Sequence, residues 1–278
     1  MTKVLTREQI DRYAQDGYLM GMPIFSGDRL REIDREYQRL IALLPPGKSP
    51  GDISQWHEHD SFIYGICTEP RLLDYVADLI GPDFYLWGSH FFAKPPHDPA
   101  VVAWHQDSFY WPLEPQEAVT VWLAFTDSDA ENGCMRVVPL SHRAGILKHQ
   151  RSTAVQANAL WLQLEGGQFR LSDAVDVTLR AGEISLHDDH IVHGSEGNAS
   201  ARWRVGLAIR YSPATVTCDL EHWPRFQAFP VRGSHRSNKN PIGVPPASPL
   251  THFVESLPMS TPEARERFMK QRGLVNVS

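Results

Sequence analysis

Cysteine is scarce in this chain: Cys67, Cys134 and Cys218 are the only three among 278 residues, far apart and odd in number. That excludes a disulfide framework and, with no CxxC pair, argues against structural zinc, so the three thiols read as reduced core residues. No apolar run approaches the roughly 20 residues needed to cross a bilayer, and residues 1–17 are polar and helix-like rather than a signal-peptide core. The expectation is a soluble, cytoplasmic protein with no membrane partner. Basic residues are outnumbered as well, 27 Lys and Arg against 33 Asp and Glu, and a formal charge of −6 leaves no basic stripe for a phosphate backbone. Nucleic acid is therefore not expected as a partner. Nor is there an internal repeat or a low-complexity block.

What is present suffices for one sizeable core: 278 residues, 42% apolar, are enough for one main domain and short for two independent catalytic ones. Residues 1–278 thus read as a single catalytic domain, with a mainly helical segment over 1–82, a strand-rich core over 83–212 and a covering loop and tail over 213–278. In the first segment Leu5, Ile10, Tyr13 and Ala14 share a helical face, Thr6 and Gln9 form a capping box, and Gly17 supplies the stop. Residues 28–44 carry an apolar stripe ended by Pro45-Pro46-Gly47, and Pro70 and Gly81 bracket a third helix. From Phe84 the pattern changes to short aromatic and β-branched runs over 84–87, 101–107, 119–126, 134–138, 175–179, 183–186 and 202–211, separated by turn clusters such as Glu131-Asn132-Gly133. Strands at this spacing without long helices between them predict an antiparallel sandwich or barrel. The loop over 45–61 and the Pro-, Ser- and His-rich stretch from 212 to 249 read as irregular cover.

Thirteen histidines suggest a metal, and Trp104-His105-Gln106-Asp107 gives the suggestion an address. In a strand, residues two apart share a face, so His105 and Asp107 would present an imidazole and a carboxylate side by side while Gln106 faces away. A third ligand is available at His187, His190 or His193 in the His-dense run after the strand over 183–186. Two histidines and a carboxylate form a facial triad suited to iron(II), with three adjacent positions left open. Arg204 lies eleven residues after His193, and alternation puts Arg204, Gly206, Ala208 and Arg210 on the face opposite Trp203, Val205, Leu207 and Ile209. The small residues leave room for a cavity in which an arginine fork could take a carboxylate.

Four stretches together resemble the phytanoyl-CoA dioxygenase family of iron(II)- and 2-oxoglutarate-dependent oxygenases, which includes ectoine hydroxylase. They are Tyr13-Ala14-Gln15-Asp16-Gly17-Tyr18-Leu19; Trp104 to Asp107 with Tyr110-Trp111-Pro112-Leu113; Glu131 to Pro139 leading to Ser141-His142; and His193-Gly194-Ser195 with Asn198, Ser200 and Arg204. The likeness runs from about residue 8 to residue 213. It implies a mainly β fold with α, a double-stranded β-helix (a jelly-roll, cupin-like barrel) with N-terminal helices packed outside. It makes His105, Asp107 and His193 the iron ligands, Arg204 the partner of the far carboxylate of 2-oxoglutarate, and Ser195 its helper, with Lys94 and Trp122 near the cosubstrate. Fe(2+), 2-oxoglutarate and O2 are the implied cofactor and cosubstrates, with succinate and CO2 released as a C–H bond of a small metabolite is oxidised.

Neither His187 nor His190 is followed by arginine after eleven residues; they meet Asn198 and Ala201, and read as supporting or surface residues. Asp107 keeps the carboxylate that radical halogenases of the family replace, which favours hydroxylation or a related oxidation. Two other classes remain: a zinc or manganese barrel acting as isomerase or hydrolase, and a non-catalytic metabolite-binding barrel. Residues 57–60, His57-Glu58-His59-Asp60, read as a solvated loop or as a substrate-facing cover, Tyr110 and Trp111 as pocket or core, and Arg210 as a structural salt bridge or a contact to an anionic substrate. Specificity is expected in the loops over 47–63, 94–101, 147–170 and 212–249. The sequence sets neither the prime substrate nor the oligomeric state.

Overall fold

The protein is described from a computed structural model covering residues 3–151, 162–272 and 274. Its helices are α1 (Arg7–Asp16), α2 (Gly27–Ala42), α3 (Ser61–Cys67), α4 (Pro70–Ile80) and α5 (Pro262–Gln271). The strands up to the middle of the chain are β1 (Tyr18–Pro23), β2 (Phe84–Lys94), β3 (Val102–His105), β4 (Leu113–Glu114), β5 (Val119–Ala124), β6 (Met135–Val138) and β7 (His149–Arg151). The later ones are β8 (Leu162–Leu164), β9 (Val175–Val177), β10 (Glu183–Asp188), β11 (Val192–Ser195), β12 (Arg204–Pro213), β13 (Thr217–Cys218) and β14 (Phe229–Arg232). The predicted capping box at Thr6 and Gln9 forms, and Gly17 ends α1 in the left-handed region at φ +83. Residues 70–80 are helical within the predicted bounds.

The strands make a six-stranded antiparallel sheet in the order β1-β10-β5-β12-β2-β14 and a four-stranded one, β3-β11-β6-β9, with two small ladders beside them. Alternation decides what each face meets. Val205, Leu207 and Ile209 of β12, with Val121 and Leu123 of β5 and Ile184 and Leu186 of β10, are buried in one cluster with Ile33 and Leu40 of α2, Ile63 and Ile66 of α3, and Leu72 and Val76 of α4. On the other face Trp122 and Ala208 meet Met135 and Val137 of β6 and Val177 of β9. This second cluster lies between the two sheets, and the polar side chains of the site open beside it. Among the described residues no ladder joins the two sheets, so the expected barrel is realised as a mainly β pair of facing sheets that does not close.

Several stretches differ from expectation. Tyr18–Pro23 forms an edge strand although Gly21 and Pro23 weaken its strand pattern. Residues 45–61 are more ordered than a loop: Pro50–Asp52 and Trp56–Glu58 are short 3-10 turns, and α3 follows, too short at seven residues to show a helical period. Beyond Tyr211, β13 pairs with β4 and β14 extends the large sheet past β2, so this stretch is partly built into the sheets rather than laid over them. Arg202 falls before β12 and pairs with Asp129 and Glu131. Residues 152–161 of the expected specificity loop over 147–170 lie outside the described residues. The three cysteines are buried and free.

The solvated reading of residues 57–60 is corrected for His57 and Asp60, which have no exposed surface, while His59 is exposed. Asp60 caps α3 by accepting from the backbone N–H of Phe62 and Ile63, and its other oxygen accepts from Leu250 N and from Arg39 Nη2 at 2.9 Å. One carboxylate therefore ties α2, α3 and the C-terminal segment together. Replacing it takes one partner from the partly buried Arg39 guanidinium, which keeps Glu36, and strands three amides, which costs about 3 kcal/mol. Asp60→Ala is expected to lower the unfolding free energy by about that amount in urea titration; a loss under about 1 kcal/mol would contradict this account of the junction.

Candidate active site

β11 lies between β3 and β6, and the antiparallel register sets His193 directly opposite His105. Their rings are 4.1 Å apart between centroids. Each imidazole turns its Nδ1 to a carbonyl two residues back on its own chain, His105 to Ala103 at 2.8 Å and His193 to Ile191 at 3.1 Å. Those carbonyls accept, so the proton stays on Nδ1 and both Nε2 lone pairs face the gap between the sheets, the tautomer a metal requires.

Asp107 reaches the same point by a route that differs from the one expected. The strand stops at His105, and Asp107 opens a 3-10 turn over Asp107–Phe109. The turn still brings its Oδ1 to 3.4 Å from His105 Nε2 and 3.9 Å from His193 Nε2. Gln106 faces away as expected: its amide donates to the carbonyls of Gly145 and His190, and its oxygen accepts from Leu147 N. Burial pushes the Asp107 carboxyl up, but His105, His187, His193 and Arg210 outweigh it and hold it well below the usual carboxylate range. Burial together with His105 holds His193 well below its ordinary value. The anionic and neutral forms a divalent cation needs are thus the ones the site stabilises, and the three donor atoms lie within 4.8 Å of one another. The residues fit an iron(II) ion held by His105, Asp107 and His193.

From this point a cavity extends between the sheets. Arg204, 3% exposed, stands in its wall with an unpartnered Nε, and its guanidinium lies 5.6 Å from the Trp122 ring. Ser195 is buried in the same wall, its hydroxyl also without a partner. Burial lowers Arg204 to about 10, so it stays cationic at neutral pH. A buried cation and hydroxyl with unused donors are what an incoming carboxylate would satisfy. Gly206 is required here, since a Cβ at that position would lie 2.0 Å from Trp122 Cζ2. Lys94, opposite Arg204 in the ladder, donates its ammonium protons to the carbonyls of Ala100 and Glu196 and is absent from the cavity wall.

The remaining motif residues shape the chain around this site. Asn198 gathers the carbonyls of Lys94, Pro95 and Arg202 on its amide and accepts from Ser200, a turn that leads into Arg204. Gly133, at φ +76, lies under the loop at 196–197, where a Cβ would be 2.6 Å from the Glu196 carbonyl oxygen. Ser141 donates to Val138 O and accepts from Val192 N, pinning β11 to the end of β6.

His187 is not on the surface. It is 2% exposed and lines the cavity, with neither ring nitrogen partnered and Nε2 3.9 Å from Asp107 Oδ2. Opposite it in the ladder, Thr120 donates to the same oxygen at 3.5 Å. The period-two alternation of residues 183–188 already carried this signal, because Ser185 and His187 lie on the face opposite Ile184 and Leu186. The second group of potential ligands among the described residues, Asp188, Asp189 and His190, is different in kind. The carboxylates of Asp188 and Asp189, which accept from its ring, push His190 up to about 10, so it is an imidazolium in an ion pair rather than a neutral donor.

Two sheets enclosing a buried two-histidine, one-carboxylate centre with an arginine at the cavity's end define a non-haem metal-dependent oxygenase of cupin-like fold. The chain belongs to the phytanoyl-CoA dioxygenase (PhyH) family, whose pattern matches residues 5–206. Among curated relatives it is 23% identical over 248 residues to peroxisomal phytanoyl-CoA dioxygenase of Mus musculus, covering 77% of this chain and 70% of that one. It is 24% identical over 266 residues to ectoine dioxygenase of Bordetella parapertussis, covering 85% and 78%. Among solved structures the apo form of ThoJ, a non-heme monooxygenase, superimposes with a TM-score of 0.75 at 25% identity over 95% of this chain and 98% of that one. The epimerase SnoN, in complex with Fe3+, alpha ketoglutarate and nogalamycin RO, shares the fold with a TM-score of 0.61 at 23% identity, over 87% and 94%. The chain is an iron(II)- and 2-oxoglutarate-dependent oxygenase of this family, acting on a small molecule.

The ligand geometry gives a direct expectation. His193→Ala is expected to weaken iron(II) binding by about 100-fold or more in anaerobic titration calorimetry, and His190→Ala to leave it within about threefold. The reverse order would move the third ligand to His190.

Proposed function

We propose that residues 1–278 act as one catalytic domain in which His105, Asp107 and His193 hold iron(II), and Arg204 with Ser195 holds the distal carboxylate of 2-oxoglutarate. Iron(II), when bound, supplies the redox chemistry that couples oxidative decarboxylation of 2-oxoglutarate with O2 to oxidation of a substrate C–H bond, releasing succinate and CO2. The chain's own residues supply geometry. The two carbonyl-tethered imidazoles and Asp107 would hold the metal at the cavity's wall and, as three ligands, would leave it positions for the cosubstrate and O2. Thr120 and His187 border the outer oxygen of Asp107 and hold the carboxylate in register. Arg204 and Ser195 fix the far end of the cosubstrate, so that its oxo-acid end faces the metal site. Trp122, across Gly206, walls off the guanidinium from water, and Lys94 holds the turn at Glu196 behind Ser195.

Hydroxylation, or a related oxidation of a C–H bond, is the reaction this site supports best. Asp107 fills the position a halide would need, which argues against halogenation. The observation that carries the reading is Arg204: a buried, unpaired arginine at the end of the metal cavity has no task in a zinc hydrolase or an empty binding barrel.

Removing one partner of a desolvated arginine–carboxylate pair costs on the order of 2–5 kcal/mol, and each 1.4 kcal/mol is tenfold. Arg204→Ala is therefore expected to raise the Michaelis constant for 2-oxoglutarate, measured by succinate formation, by roughly 30-fold or more while iron still binds. Wild type should discriminate against 2-oxobutyrate, which lacks the distal carboxylate, and the variant should do so far less. If Arg202→Ala has the effect and Arg204→Ala has none, the carboxylate partner is elsewhere.

A further inference from the structure

A second arginine lines the same cavity, six residues along β12 from Arg204. The salt bridge expected for Arg210 does not form: no hydrogen bond or ion pair joins it to another described residue, and its Nε is buried without a partner. Its guanidinium lies over two indoles, 5.9 Å from the Trp87 ring centroid and 5.3 Å from that of Trp111. Those rings meet edge to face at 4.7 Å, and Trp87 Nε1 donates to Ser212 Oγ at 3.1 Å, so the slot is rigid. Gly88, opposite Arg210 in the ladder, leaves space for the side chain to lie flat, since a Cβ there would come within 3.3 Å of Arg210 Cδ. Arg210, partly buried, is thus held in an aromatic clamp with its fork unused, in the wall of the metal cavity.

Charge shows what the fork lacks. If the site works as proposed above, on which this inference rests, the two charges of iron(II) and that of Arg204 are matched by Asp107 and the two carboxylates of 2-oxoglutarate. Among the described residues Arg210 then remains the one cation of the cavity wall without a counter-charge of its own. An uncompensated cation in a desolvated cavity is costly, and an anion bound beside it relieves that cost. Position supports the same conclusion. At about 3.3 Å per residue, six residues put some 20 Å between the two arginine Cα atoms. Asp107 lies at the Arg210 end, because Thr120, paired with Arg210 in the ladder, donates to Asp107 Oδ2. The cosubstrate occupies the Arg204 side of the metal, and the Arg210 side is left for the molecule to be oxidised.

We infer that Arg210 anchors a carboxylate of the prime substrate, so that the enzyme oxidises a small organic acid at a carbon within a few bonds of its acid group. The Trp87–Trp111 clamp sets the plane of the guanidinium and therefore the angle at which that acid enters.

The test uses the iron(II)-loaded enzyme with saturating 2-oxoglutarate under anaerobic conditions. Three acids, propionate, benzoate and indole-3-acetate, are each titrated beside the corresponding amide. Binding is read from tryptophan fluorescence and from the iron–2-oxoglutarate absorption band. In at least one pair the acid should bind tenfold or more tighter than the amide. Arg210→Gln should weaken the acid tenfold or more, leave the amide and 2-oxoglutarate within about threefold, and Arg210→Lys should restore part of the preference. Lack of acid preference in every wild-type pair overturns the inference. So does a preference that survives in Arg210→Gln, which would mean that the acid ligates the metal directly. A tenfold loss of 2-oxoglutarate affinity in Arg210→Gln overturns it too, by giving Arg210 to the cosubstrate. An absorption band without acid preference sinks this inference alone, whereas absence of the band in wild type sinks the functional reading and this inference with it.

Discussion

The pairing of β11 with β3 is the constraint on which the site depends. Because antiparallel register is set residue against residue, His193 falls opposite His105, and a one-residue slip would turn the imidazole out of the cavity. Each ring is then fixed by a carbonyl of its own chain, so the ligand geometry is set by backbone rather than by neighbouring side chains. Ser141, which pins β11 to the end of β6, and Gln106, which ties the β3 end to the loops at Gly145 and His190, keep that pairing from sliding. These two polar residues touch nothing reactive, yet the centre rests on them.

The cavity combines a low-dielectric wall with groups whose charges are only partly matched. Asp107 is held anionic by three histidines and Arg210, while Arg204, buried, and Arg210, partly buried, have no carboxylate partners of their own among the described residues. Polar groups left unsatisfied inside a protein are expensive, and they cluster where a ligand completes them. The two arginines differ in how they are held: Arg204 packs against one indole across a glycine, and Arg210 lies against two.

Much of this could be read from the residues before any coordinates. The alternation of β12 put Arg204, Gly206, Ala208 and Arg210 on one face, and the hydrophobic partners on the other, as found. The three side chains that the motifs put forward as ligands come together, although Asp107 gets there through a 3-10 turn rather than along a strand. What escaped was tertiary in origin. His187 was read as supporting or surface because it lacked the arginine spacing; of the two the surface alternative fails, and its own alternation already pointed inward. The run His57 to Asp60 looked solvated because its composition is polar; burial is compensated by partners distant in sequence, Ser89 for His57 and Arg39 with Leu250 for Asp60. Short elements such as β1 and α3 have too few residues for a period to register, and pairing with β10 or capping by Asp60 decides them.

The central claim, that three side chains from β3, the following turn and β11 build one iron site whose open face takes 2-oxoglutarate, is tested most directly by anaerobic spectrophotometry. Titrating the apo protein with iron(II) and then 2-oxoglutarate should produce a metal-to-ligand absorption band that saturates at one iron and one 2-oxoglutarate per chain and is abolished in Asp107→Ala. A protein that binds iron but forms no band with 2-oxoglutarate, or a band undiminished in Asp107→Ala with iron loading verified, would contradict it.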